Sequence, residues 1–365
     1  MSATTLEAAI KALASDAGLL ASVRADPAAG AQKLGLSQAE ADAVLSADRD
    51  ALRSMGVNDG LSILVSRWFQ DDLADAASKG AFVVDRTSPL PSSDVPANLV
   101  FAGACSHVPD LLARPEIDPQ DAVARLTAGY DRLAQHIAAA DLDLLIVTTD
   151  CHFQSFVGGG TVFGVGEAHE GSLAFFKRPD ISLQLTGAPA FAQALLQAAR
   201  DKGLEVEDAT TVELDHGLIV PLKQMLPRAD LPIVPIVTQP ARGFSPFSAR
   251  ALGQALRNVV AASSGKRIGI LATGGLSHWL DPGRFGRADV PFDTYILDMI
   301  AAGRANDLAN LEPFPLLEHG QYEFMNWLIM FGLVGPGIRG DVLAYEPMEA
   351  SGGGWAVVFM DLAGA

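Results

Sequence analysis

The stretch LLIVTTDCHFQSF, residues 144–156, decides how the rest of the chain is read. Its apolar half is continuous rather than alternating, as expected of a strand buried on both faces, and it stops abruptly at Asp150, Cys151 and His152. Four other runs share this character: LVFAGACSH (99–107), LPIVPIVTQ (231–239), KRIGILATGGLSH (266–278) and GWAVVFMDL (354–362). Between them lie helical stretches such as AVARLTAGYDRLAQHIAAA (122–140), APAFAQALLQAARDKG (188–203), SARALGQALRNVVAASSG (248–265) and QYEFMNWLIMFGL (321–333). Strands alternating with helices of this length imply an α/β fold, a central mixed sheet flanked by helices.

Residues 1–78 differ in kind. They are rich in Ala, Leu, Asp and Ser and read as several short helices, one ending before Pro27, one starting on Ser37 as N-cap, and one in GLSILVSRWF (60–69). Residues 79–97 collect Pro and Ser and read as an extended linker, leaving 98–365 as the main domain behind a small all-helical one.

The chain has 365 residues, 49% of them hydrophobic, enough for a sizeable core. A net charge of -17 argues against a nucleic-acid partner. No apolar run reaches membrane-spanning length, the N-terminus does not read as a secretory signal, and two cysteines are too few for a disulfide framework. A cytoplasmic setting is expected.

In an α/β fold the working residues gather where loops leave the strand ends. Three of the apolar runs end in histidine: His107, His152 and His278. His216, in ELDHGLIVPL (213–222), precedes a further apolar run. His136, His169 and His319 are assigned no role. Two histidines and one carboxylate leave three positions open on an octahedral ion. The carboxylate is open among Asp150, Asp215, Asp281, Glu318 and Glu323; the last shares a predicted helix with an apolar face, where a carboxylate gains from a partner such as a metal. A structural zinc site using Cys105, His107, Cys151 and His152 lacks the short looped spacings of such sites, and adjacent residues of a strand point to opposite faces. A Cys105–Cys151 disulfide is conceivable if their strands are neighbours, but a reducing compartment disfavours it. FVGGGTVFGVG (156–166) reads as a loop approaching the site, and Ser277 lacks the frame of a nucleophile elbow.

Taken in order, CSHVPD (105–110), TTDCHFQSF (148–156), ELDHGLIVPL (213–222), ATGGLSH (272–278) and YEFMNWLIMFG (322–332) resemble the catalytic subunit of protocatechuate 4,5-dioxygenase and related class III extradiol dioxygenases. LSADRDALRSMGVNDGLSILVSRWF (45–69) resembles the small subunit that caps the active site in those enzymes, here fused ahead of the catalytic part. The resemblance implies Fe(II) held by His107, His152 and Glu323, with His278 as acid/base and His216 contacting substrate or oxygen. It places Ser351, in PMEASGGG (347–354), near a serine that binds the substrate's acid group. It further implies a homodimer that cleaves a protocatechuate- or gallate-like catechol with O2 to a semialdehyde acid. Two departures stand out: Cys151 occupies a position usually acidic, and EAHEGSLAFF (167–176) replaces an ADEG-type motif of the substrate loop. A metal-dependent hydrolase or lyase, or a binding protein, on the same scaffold is the alternative.

Overall fold

The computed structural model describes residues 26–46, 48–57, 94–152, 161–238, 245–279, 283–284, 286–311 and 313–364, with scattered positions among residues 6–23 and at 65. The five apolar runs form β1 (Leu99–Cys105), β2 (Leu144–Asp150), β8 (Ile233–Thr238), β9 (Ile268–Thr273) and β11 (Gly353–Met360) of one eight-stranded sheet. Its order is β10-β11-β1-β9-β2-β8-β3-β6, where β3 is Thr161–Gly164, β6 Val206–Ala209 and β10 Gly340–Met348. The central strands β1, β9, β2 and β8 run parallel, while β11 and β3 flank them antiparallel.

Burial on both faces follows from the unbroken apolar runs. On β2, Leu144 and Ile146 join one hydrophobic cluster, while Leu145 and Val147 join the other. The first cluster is completed by the helices Pro189–Asp201, Pro246–Ala262, Val290–Ala301 and Met325–Val334, the second by Gln120–Ala139 and His216–Met225. Helices therefore cover both faces of a mixed sheet, as the sequence leads one to expect.

Several local readings need correction. Of the glycine-rich segment 156–166, residues 156–160 lie outside those described, and Thr161–Gly164 form strand β3, paired with β6 and β8 rather than a loop. The segment expected to be a substrate loop contains β4 (Ala168–Leu173), which pairs with β5 (Arg178–Thr186) and β7 (Glu213–Leu214) in a second small sheet. Pro27 begins a further helix, Pro27–Lys33, capped by Asp26, while helical residues Ser22 and Val23 lie just ahead of it, in keeping with a helix that ends before Pro27. Proline suits a helix's first turn, where its missing N–H would have no partner. Ser37 caps Gln38–Leu45 in a reciprocal box with Glu40. Apart from helical Val65, the GLSILVSRWF stretch and most of the 79–97 linker lie outside the described residues. What is described of the N-terminal stretch has its own apolar cluster, including Ile10, Leu13, Val44 and Leu52.

The Met325–Val334 helix is buried on every side, so it has no polar face, and Glu323 lies in the turn before it rather than within it. Arg257 donates to the carbonyls of Leu333 and Val334 at 2.8 Å each, supplying partners the helix end lacks internally. The crossing with Pro246–Ala262 is close enough to need glycine on both sides: a Cβ on Gly253 would stand 2.1 Å from the Ile329 carbonyl, and one on Gly332 2.5 Å from that of Arg250. Alanine is the better helix former by about 1 kcal/mol, yet at Gly253 it must push these helices apart. Gly253→Ala is therefore expected to destabilise the protein by about 1–3 kcal/mol, read as a lowered urea midpoint.

Candidate metal centre

β1, β9 and β2 are parallel neighbours, so their C-terminal ends lie along one sheet edge. His107, His278 and His152 leave from those three ends. His107 and His152 approach until their Nε2 atoms are 3.2 Å apart, and Glu323 Oε2 lies 3.4 Å from His107 Nε2. His107 is 2% exposed and Glu323 7%.

The remaining ring nitrogens are committed. Thr273 donates its single hydroxyl proton to the Gly217 carbonyl at 2.9 Å, so toward His107 Nδ1, at 3.1 Å, its oxygen can only accept. His107 then carries its proton on Nδ1 and turns the Nε2 lone pair inward. His152 donates from Nδ1 to Asp215 Oδ2 at 2.9 Å, which fixes the same tautomer. Asp215 also caps the His216–Met225 helix by accepting from the Gly217 N–H at 2.8 Å. Two Nε2 atoms this close need a proton or a metal ion between them: in the metal-free protein the extra proton of His152 fills that place, and a metal ion can take it over. His107, His152, Glu323 and Asp150 bring ligand atoms within 4.8 Å of one another, a buried N2O2 donor set that fits a divalent metal.

The electrostatics agree. Burial works against a charge on His152, but Asp150 and Asp215 outweigh it and hold the ring's pKa up at about 9. Burial likewise opposes the Asp215 charge, yet the charge and hydrogen bond of His152 bring it down to about 2. Glu323 is held well below the usual carboxylate range by His107 despite its burial. For Asp150 burial prevails and pushes the carboxyl up. His216 is driven well below the usual histidine range, first by burial and then by His152's charge, so it is neutral.

His216 packs against the centre, its ring 3.8 Å from that of His152 and 5.4 Å from that of His107, and its Nδ1 has no hydrogen-bond partner among the described residues. Phe176 covers it at 5.1 Å. His278 donates from Nδ1 to the Gly352 carbonyl at 2.8 Å, which leaves Nε2 as a proton acceptor. Ser351 adjoins that carbonyl; its hydroxyl accepts from Trp355 Nε1 at 2.9 Å, and the Trp355 ring lies 5.5 Å from His278. Of the five carboxylates left open by sequence, Glu323 and Asp150 face the histidine pair, Asp215 stands behind His152, and Asp281 lies outside the described residues. Glu318 contributes its carbonyl to Trp279 and Arg284 instead.

Sequence reasoning missed Thr273 and Asp293. Fully buried Asp293 accepts from the Ser277 N–H (2.9 Å), the Ser277 hydroxyl (2.6 Å), Gln321 (2.7 Å) and Tyr345 (2.7 Å), locking the turn that presents His278. The Ser277 hydroxyl is thus a structural donor. Both cysteines are buried and neither forms a disulfide: β9 separates the strands of Cys105 and Cys151, so the neighbouring strands a disulfide would need do not exist. His169 is buried in β4 and accepts from the Val212 N–H.

Residues 102–360 match the family described as the catalytic LigB subunit of aromatic ring-opening dioxygenase. The chain belongs to this family. A 181-residue stretch is 32% identical to a 2,3-dihydroxyphenylpropionate/2,3-dihydroxicinnamic acid 1,2-dioxygenase of Pseudomonas putida, covering 45% of this chain and 54% of that one. The 4,5-DOPA dioxygenase extradiol of Mirabilis jalapa is 28% identical over 36% of this chain and 49% of its own, and the gallate dioxygenase of P. putida 30% identical over 34% and 39%. The matches thus span about half the length, or less, of these curated relatives. Among solved structures, an uncharacterized protein of Escherichia coli K12 shares the fold with a TM-score of 0.50 at 17% identity, over 71% of this chain and 99% of that one. No helix among the described residues is long and apolar enough to cross a membrane.

The pH response follows from His152. Its ordinary pKa of about 6.5 rises to about 9 on folding, so in chelator-treated protein its stabilising charge is whole below the first value and lost as pH climbs through the second. A metal must displace that proton, so metal affinity should rise over the same window. Thermal melting and metal-competition titrations between about pH 6 and 10 should therefore trend in opposite directions, and Asp215→Asn should flatten both.

Proposed function

We propose that the protein opens the ring of a catechol-type aromatic acid beside one of its hydroxyls, with Fe(II) and O2, giving a semialdehyde acid. The observation that carries this reading is the convergence of His107 Nε2, His152 Nε2 and the Glu323 carboxylate, with His216 packed against the histidine pair. Family membership and the dioxygenases that this chain is similar to support it.

His107, His152 and Glu323 would hold the iron, which supplies Lewis acidity toward both catechol oxygens and an electron path to O2. His278 Nε2 takes the proton of the second hydroxyl and later returns one to the reacting oxygen, its ring held by Gly352 and by the Ser277–Asp293 network. His216, kept neutral by its surroundings, offers a hydrogen bond that strengthens as charge develops on oxygen. Phe176 and Trp355 exclude water from either side of the histidines. Ser351 would meet the substrate's acid group, protocatechuate- and gallate-like compounds being the first candidates. The N-terminal helical stretch, with its own apolar cluster, would serve as a fused cap over the catalytic part, and a cytoplasmic homodimer completes the reading.

The test is to load the protein anaerobically with Fe(II), offer a panel of catechols, and follow oxygen uptake and a yellow ring-fission product. Oxygen consumption is expected; iron bound without any consumption overturns the reading. The same ligands suit zinc, so zinc found after anaerobic purification would favour a hydrolase instead. His278→Ala should lower turnover by about 10²–10⁴-fold while retaining iron, and Glu323→Ala should lose the iron, as metal analysis will show.

A further inference from the structure

A second carboxylate faces the histidine pair. Asp150, the last residue of β2, is 5% exposed, with Oδ2 3.2 Å from His152 Nε2 and Oδ1 3.7 Å from His107 Nε2. Its Oδ1 accepts no hydrogen bond from any described residue. A buried carboxylate in that position is costly unless a cation compensates it.

The neighbouring carboxylates are spent differently. Asp215 divides its oxygens between His152 Nδ1 and the Gly217 N–H. Glu323 is pinned by the Gly275 N–H. Asp150 faces only the two imidazole nitrogens that converge with Glu323, and its oxygen is among the four ligand atoms lying within 4.8 Å of one another. We propose that Asp150 is a fourth protein ligand of the metal, and that a chelating catechol displaces it.

The displacement rests on the dioxygenase reading; the ligation does not. Four protein ligands leave two positions on an octahedral ion, whereas a chelated catechol and O2 together need three. One protein ligand must leave, and it is the one without an anchor. The Gly275 N–H holds Glu323, while Thr273 and Asp215 hold the two rings. Asp150 has no such anchor among the described residues. The exchange breaks one metal–oxygen bond as two catechol oxygens bind, with no change of oxidation state. The resting metal is thereby shielded until substrate arrives.

Co(II) serves as the probe, with affinity from chelator competition and visible spectra recorded under argon with and without catechol. Asp150→Asn and Asp150→Ala should weaken Co(II) binding about tenfold or more and change the resting spectrum, yet match the unaltered protein once catechol is bound. Infrared difference spectra of the unaltered protein, which need no variant, should show a metal-bound carboxylate released by catechol. Unchanged affinity and resting spectrum in the variants overturn the ligation. A spectral difference that persists with catechol bound overturns the displacement. Failure of catechol to perturb even the unaltered protein counts against the dioxygenase reading and the displacement, and leaves the ligation to the affinity and resting spectrum.

Discussion

Two imidazole Nε2 atoms held 3.2 Å apart away from water need a proton or a metal ion between them, and much of the sheet edge around them is arranged to keep them there. Thr273, at the end of β9, dictates the tautomer of His107, while Asp215 dictates that of His152 from the N-cap of the His216–Met225 helix. Both ring orientations thus depend on groups far away in the chain but adjacent in the sheet. Gly217 closes the arrangement: a Cβ there would stand 2.3 Å from Thr149 Oγ1 and 2.8 Å from the His152 ring, so the turn after Asp215 must be glycine.

Around this pair the chain distributes negative charge unevenly. Asp215 and Glu323 are kept ionised by the histidines, whereas burial favours the neutral form of Asp150. His216, on the same helix start as Asp215, is kept uncharged. One small volume therefore holds ionised acids, an acid whose charge is disfavoured, a charged ring and a neutral one. This is the spread of protonation states that acid–base chemistry at a single pH requires.

What the sequence discloses follows from how local each signal is. Strands β1, β2, β8, β9 and β11 are legible because burial on both faces demands unbroken apolar residues, and the histidines are legible because each ends or precedes such a run. β6 reads VEDA and β5 RPDISLQLT, largely exposed, so neither leaves an apolar trace, and β4 lies within the stretch that reads as a substrate loop. Glu323 could be singled out only by resemblance, since a glutamate ahead of an apolar helix looks the same whether it meets solvent or a metal. Asp293 and Thr273 leave no trace at all, because their partners lie 16 and 166 residues away. Cys151 drew attention by adjacency alone; its side chain belongs to the core cluster below the site.

The position of β9 between β1 and β2 bears on how the protein is made. The strands carrying His107 and His152 are synthesised early, but the strand that spaces them begins at Ile268 and Glu323 follows later still. A nascent chain that has not yet passed these points lacks both the spacer and the acid. Assembly of the centre is thus tied to synthesis past Glu323, and shorter nascent chains on the ribosome cannot gather this donor set.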